Sequence, residues 1–221
     1  MRIPVALTLL LAALIAAHAL RVFGPAWLSN AILTNCALVP ARYDPAWLAA
    51  HAVDAGSWIE QALPFVGYAF VHANWEHLGL NCIWLLPFGT AVARRLGPTL
   101  FLLLFLICAI AGAALHIAVY WGSESPVIGA SAAVSGMMGA AFRMMLTEPG
   151  EALAPLLSRR ILIWSVVWLG MNLVAGVLGL GTDQRVQIVA WEAHMGGYFA
   201  GLLLIGPLDA LRRRHNAPTA A

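Results

Sequence analysis

Four polar side chains in an otherwise apolar sequence are of types that together support acyl transfer, namely His77, Asn81, Ser131 and His194. A serine hydroxyl is a weak nucleophile near neutral pH, so it needs a base within about 2.6–3.2 Å that can take its proton. His194 is the only histidine among residues 127–208, which makes it the candidate base. The backbone N–H of Ser131 and the side chains of Asn81 and His77 are candidate donors to an oxyanion.

No carboxylate is placed to orient His194. Glu192 is two residues away and points to another face of a helix, and Asp183 falls in a predicted loop. We therefore predict a Ser–His dyad, a variant of the serine nucleophile–base arrangement. Simpler interpretations of the single residues stay open, because Ser131 can be a packing residue in a Gly- and Ala-rich helix and His194 an interhelical donor.

The composition indicates a protein that folds in lipid. The 221 residues are 62% apolar and 10% charged, with a mean hydropathy of +0.83. A soluble globule has about 45–50% apolar and about 25% charged residues. The net charge of +2 argues against a nucleic-acid partner, and three scattered cysteines exclude a disulfide framework.

Six apolar runs approach the roughly 20 residues that a helix needs to cross a bilayer core. They cover residues 3–23, 70–93, 100–121, 127–146, 161–180 and 188–208, and the second has a polar start. These runs predict an all-α membrane protein, a six-helix bundle forming a single domain over residues 1–221 with a disordered tail at 212–221. Residues 1–19 also fit a cleavable signal peptide, so retention of the first run is left open.

The arginines predict an orientation for this bundle. Nine of the twelve flank one side of the runs, and only those at 21, 42 and 185 flank the other. Because cytoplasmic flanks collect basic residues, both termini are predicted to be cytoplasmic. Ser131 and His194 then lie four and six residues inside their runs, roughly 6–9 Å below the outer end, and Asn81 lies at a similar depth.

Small residues at every fourth position allow the fourth and sixth runs to touch. Such stripes let two helix backbones approach closely in lipid. Ser131 and His194 each adjoin a stripe, so a hydrogen bond between them is sterically allowed. The stripes are Ala132, Gly136 and Ala140 on one run and Ala193, Gly197 and Gly201 on the other.

Three segments in this order resemble the signature segments of the rhomboid family of intramembrane serine proteases, bacterial six-helix type. They read HANWEHLGLN, GASAAVSGMMGA and EAHMGGYFAGLLL, and ALVPARY and RRLG add to the likeness. The resemblance implies a rhomboid-like bundle and an endopeptidase that cleaves transmembrane proteins near the outer leaflet. It implies no cofactor and no metal, and a multi-pass protein of the bacterial inner membrane.

The resemblance also assigns roles. The family's G-x-S-G serine falls on Ser131 and its AHxxG histidine on His194, while the residues that assist the oxyanion fall on His77 and Asn81. Gly129 takes the place of the motif's glycine.

Two residues depart from the family pattern. Ala132 follows the serine where a glycine is usual. Ser135 stands where an aromatic ring often stacks on the histidine, so the orientation of His194 is less well explained.

Two routes to the candidate site are predicted, one for water and one for a substrate. The polar segment from His72 to Glu76 predicts a water path or entrance. Trp164, Trp168 and Asn172 lie on one face of the fifth run, and the resemblance implies that this helix moves to admit a substrate. Ordinary packing of the bulky residues Trp164 and Trp168 is the alternative.

Two other function classes stay open. A catalytically inactive rhomboid-like protein that binds transmembrane clients would lack the serine or the histidine, and both are present. A haem or metal site is the other class, built from His72, His77, His116 and His194. The expected partners are the lipid bilayer and transmembrane protein substrates.

Overall fold

The computed structural model of the protein describes residues 2–147, 152–178 and 190–216, which are almost entirely helical. This part of the chain contains no β-structure beyond one isolated bridge between Leu38 and Val127. In chain order the α-helices are α1 (Val5–Phe23), α2 (Ala26–Cys36), α3 (Pro45–His51), α4 (Trp58–Ala62), α5 (Pro64–Gly67), α6 (Trp75–Leu96), α7 (Pro98–Val119), α8 (Ser131–Met145), α9 (Arg159–Leu178) and α10 (Trp191–Asn216), with 3₁₀ turns at Pro40–Tyr43 and Tyr68–Phe70.

Two of the described helices, α1 and α7, are long and apolar enough to cross a membrane by length and composition. Their mean hydropathies over an 18-residue window are 2.1 and 2.7. They coincide with the predicted runs 3–23 and 100–121 to within two residues at each end. The predicted helical class is therefore confirmed for the residues that the structure describes.

Helix α8 begins later than the sequence pattern predicts. The predicted run starts at residue 127, whereas the helix starts at Ser131. Val127 instead exchanges two backbone hydrogen bonds with Leu38, at 2.8 and 3.0 Å, and Gly129 has a φ of +120°, which a right-handed helix does not allow. Ser131 is consequently the first residue of its helix and does not lie one turn inside it.

The final helix is longer than predicted. Helix α10 continues through the predicted end at residue 208 to Asn216, into the segment for which we expected a disordered tail. The predicted run positions 179–180 and 188–189, the loop at 181–187 and the tail at 217–221 lie outside the described residues. His194 is the fourth residue of α10 and so belongs to its first turn.

Helices α8 and α10 pack backbone against backbone. Residues Ala132–Ala141 of α8 are all buried. A Cβ atom added at Gly197 would overlap the carbonyl oxygen of Ala132, and one added at Gly201 would overlap that of Gly136. The contact between the two small-residue stripes is therefore as predicted, and it sets the start of α8 beside the start of α10.

The opposite end of the bundle holds a group of arginines. Arg95 at the end of α6 donates to Asp209 of α10 at 2.6 and 2.8 Å. Arg143 near the end of α8 donates to the carbonyl oxygens of Ala154 and Leu202 at 3.0 and 3.1 Å. These contacts join the ends of α6, α8 and α10, and they leave Ser131 and His194 at the other end.

Candidate active site

Ser131 and His194 face each other across the start of the α8–α10 interface. The Oγ atom of Ser131 lies 2.7 Å from Nε2 of His194, which is within ordinary hydrogen-bond distance. Both side chains are partly buried. Because glycines line the interface below them, two helix starts come close enough for these short side chains to meet.

A third residue completes a hydrogen-bonded row. Oδ1 of Asn172 on α9 lies 2.7 Å from Nδ1 of His194, and Asn172 is 8% exposed. The sequence places Asn172 on a shared face with Trp164 and Trp168 but predicts no contact with His194, because a carboxylate is the usual orienting group. An amide oxygen also accepts from a ring N–H, so the residue type of Asn172 is the signal that could have identified it.

The oxyanion candidates gather around Gly129. A Cβ atom added there would lie 2.7 Å from Nε2 of His77 and 3.9 Å from Nδ2 of Asn81, so the ring and the amide both adjoin the loop that leads to Ser131. Asn81 is 5% exposed, and its Nδ2 donates to the carbonyl oxygen of His77 at 3.0 Å. An amide nitrogen carries two hydrogens, so this bond uses one of them.

His72 has a different setting from the entrance that the sequence suggested. The side chain is fully buried, and its Nε2 accepts from the backbone N–H of Ala130 at 3.3 Å. Arg21 of α1 donates to the backbone carbonyls of His72 and Ala73 at 2.5 and 2.9 Å. His72 therefore supports the loop immediately before Ser131.

The alanine at position 132 is accommodated by its neighbour. A Cβ atom added at Gly112 of α7 would lie 2.5 Å from the Cβ atom of Ala132. Because Gly112 has no Cβ atom, the methyl group of Ala132 fits at this point. Ser135 is 2% exposed within α8, and the hydrogen bond to Nδ1 of His194 is made by Asn172.

The two tryptophans of α9 contact aromatic rings of the neighbouring helices. The ring centroids of Trp168 and Trp84 on α6 are 6.4 Å apart, and those of Trp164 and Phe142 on α8 are 6.0 Å apart. Trp164 remains 47% exposed. Both positions therefore lie at the side of the bundle where α9 covers α6 and α8.

The histidines do not form a metal cluster in the described part of the chain, where no group of three or more His, Cys, Asp or Glu side chains is arranged to hold an ion. His116 of α7 instead hydrogen-bonds to the buried carboxylate of Glu192 on α10.

Comparison with known proteins agrees with the quoted motifs. A family model described as the Rhomboid domain matches residues 59–208. In an alignment 162 positions long, the sequence is 28% identical to Rhomboid protein 1, mitochondrial, of Saccharomyces cerevisiae, and the match covers 66% of this chain and 42% of that protein. Over 154 residues, 69% of this chain, it is 29% identical to Rhomboid protease GluP of Bacillus subtilis, covering 26% of that protein. The chain spans less than half the length of either relative.

Proposed function

The chain belongs to the rhomboid family, and on that premise we propose that it is an intramembrane serine endopeptidase with Ser131 as nucleophile and His194 as base. Family membership and a relative named as a rhomboid protease point to intramembrane proteolysis. The observation that carries the residue assignment is the 2.7 Å approach of Ser131 Oγ to His194 Nε2.

The proposed reaction uses this pair twice. The Oγ–H proton of Ser131 moves to Nε2 of His194 while Oγ bonds to the carbonyl carbon of the peptide, and an electron pair moves onto the carbonyl oxygen. The C–N bond then breaks as the proton on Nε2 passes to the leaving amine. Water attacks the acyl-serine with His194 again as base, which releases the acid and restores the Oγ–H group.

The oxyanion has three candidate donors. The first N–H groups of a helix lack intrahelical partners, and their end of the helix dipole favours negative charge. Ser131 is the first residue of α8, so its N–H is one of these groups. The second amide hydrogen of Asn81 and the ring of His77 complete the proposed set beside Gly129.

The proposed membrane arrangement follows the sequence prediction. A single domain over residues 1–221 crosses a bacterial inner membrane six times, through α1, α6, α7, α8, α9 and α10, with both termini in the cytoplasm. The arginine group at the end opposite Ser131 supports this orientation, since basic residues collect on the cytoplasmic side. The site then lies near the outer leaflet, where water can reach it.

Substrates are proposed to enter past α9. It meets α6 and α8 through aromatic contacts, and Trp164 and Trp168 are the proposed gate. A substrate helix must unwind locally before its peptide bond can be attacked, because helical carbonyls are already hydrogen-bonded. Transmembrane proteins with such a segment are the proposed partners.

Labelling with a fluorophosphonate probe tests the proposal without knowledge of the substrate. Detergent-purified wild-type protein is expected to react, and Ser131→Ala and His194→Ala are expected to lose labelling while keeping the thermal melt of the wild type. Ser135→Ala is the matched control, because it removes another buried serine hydroxyl of α8 and should label normally. Labelling retained by Ser131→Ala would sink the assignment, and an unreactive, well-folded wild type would favour a client-binding protein.

A further inference from the structure

The side-chain amide of Asn172 is held in one orientation. Its Nδ2 donates to the backbone carbonyl of Trp168 at 2.8 Å, one turn earlier on α9. A carbonyl oxygen can only accept, so the NH₂ group must face Trp168. The remaining oxygen, Oδ1, is thereby directed at Nδ1 of His194, 2.7 Å away.

This orientation determines which nitrogen of His194 carries the proton. Oδ1 of Asn172 accepts only, so Nδ1 must carry the hydrogen of the neutral ring. The bare nitrogen is then Nε2, which is the atom that faces Ser131 Oγ. A base can take the serine proton only in this tautomer.

We propose that Asn172 is a positioning residue that sets the tautomer and the ring orientation of His194, and that it makes the base competent only while α9 is seated against α10. The inference rests on the proposed function, because it gives a regulatory element to the same Ser131–His194 pair. It also supplies an orienting contact where Ser135 provides no aromatic ring.

Helix α9 is suited to this coupling because it lies at the edge of the bundle. Val166 and Met171 are 71% and 63% exposed, so much of α9 faces outward. A hydrogen bond of 2.7 Å is lost once its atoms separate beyond about 3.5 Å, so a displacement of α9 by about 1 Å releases His194. The movement that admits a substrate would therefore uncouple the base, and the return of α9 would restore it.

The test needs a control that removes one interhelical hydrogen bond of α9, worth about 1 kcal/mol, and leaves α9 seated with Asn172 in contact with His194. Ser165 of α9 and Tyr198 of α10 form a second buried hydrogen bond, at 2.7 Å between the two hydroxyl oxygens. Ser165→Ala removes one interhelical hydrogen bond and leaves Asn172 in place. Asn172→Leu removes the other with little change in side-chain size, and Asn172→Asp keeps an acceptor for Nδ1–H.

The rate constant of fluorophosphonate labelling is the first readout. We expect a fall of about 100-fold in Asn172→Leu, at the lower end of general base contributions, and less than about tenfold in Asn172→Asp. Ser165→Ala should stay within about threefold of the wild type. With a transmembrane substrate, Asn172→Leu should lower kcat and leave KM nearly unchanged, because the contact acts on the base.

Asn172→Gln keeps the amide and displaces it by one methylene, which provides a second variant if Asn172→Leu does not fold. We expect it to label at least about tenfold more slowly. Wild-type labelling by either folded variant, or an equal loss in Ser165→Ala, would overturn the inference. Failure of the proposed function is distinguishable, because then Ser131→Ala would label or the wild type would not.

Discussion

The interface between α10 and α8 differs in its packing from the interface between α9 and its neighbours α6 and α8. At the α8–α10 interface, glycines bring one backbone against the other, and the Cβ of a side chain at Gly201 would overlap a carbonyl oxygen. At the α9 side, aromatic rings meet at centroid distances of 6.0 and 6.4 Å, and many side chains face outward. The proposed catalytic pair, Ser131 and His194, thus lies at the close α8–α10 interface.

The difference has an energetic basis. In lipid there is little hydrophobic drive between helices, so association depends on close van der Waals packing and on polar contacts. The glycine interface provides such packing, whereas α9 meets α6 and α8 through aromatic rings. In the proposed coupling, the hydrogen bond between Asn172 and His194 links α9 to the closely packed α8–α10 interface.

The largest effect, on melting temperature and labelling, is expected from Gly201→Ala, which changes a residue in the close α8–α10 interface. The added methyl group meets the backbone of Gly136, which cannot move aside like a flexible side chain. Overpacking of this kind costs about 3 kcal/mol or more, so we expect the melting temperature to fall by about 10 °C and labelling to be lost.

Gly170→Ala on α9 is the matched control for that substitution. A Cβ atom added at Gly170 has no neighbour within 4 Å, so melting and labelling should stay close to the wild type. Thermal unfolding in detergent measures both variants. Equal melting temperatures for the two would contradict the contrast between the interfaces.

The second-largest effect, on kcat, is expected from Asn81→Ala, which removes a buried side-chain amide of α6. Loss of one oxyanion donor typically lowers kcat by about 10²–10³, and KM should change less. Ile83→Ala on the same helix is the control, because Ile83 is 63% exposed and should tolerate truncation. Steady-state cleavage of a transmembrane substrate measures both, and an unchanged kcat would remove Asn81 from the proposed oxyanion set.

The smallest effect, on kcat/KM, is expected from Trp168→Ala, which removes an aromatic contact between α9 and α6. An aromatic pair contributes about 0.5–1.5 kcal/mol, so loss of the contact with Trp84 should ease separation and raise kcat/KM for a transmembrane substrate about two- to tenfold. Labelling by a small probe should change less than about twofold, since the backbone carbonyl that holds Asn172 remains. A parallel fall in cleavage and labelling would argue against a gate.

The pattern of apolar and small residues along the sequence was sufficient to predict α1, α7 and the contact between α8 and α10. The apolar runs 3–23 and 100–121 correspond to α1 and α7 because burial in lipid depends on length and composition. The four-residue spacing of small side chains predicted the α8–α10 contact because one face of a helix repeats every three to four residues. The approach of Ser131 to His194 agrees with the sequence prediction, which followed from residue type and from the small-residue stripes.

Contacts between residues that are far apart in the sequence were not predictable from local pattern. Pairing of Val127 with Leu38 moved the start of α8 to Ser131, and no local property of residues 127–130 identifies that partner. The polarity of His72 predicts an entrance, whereas its ring is buried and accepts from the backbone N–H of Ala130. The contact of Asn172 depends on how α9 is rotated and placed beside α10.

The sequence by itself indicated a lipid-embedded helical protein, its family and the candidate pair Ser131 and His194, because composition, periodicity and motif are properties of the chain alone. Only the tertiary structure decided that Ser131 begins its helix and that an amide from a third helix contacts Nδ1 of His194. Hydrogen bonds of 2.7 Å depend on the relative placement of helices, and that placement arises from packing over the whole bundle.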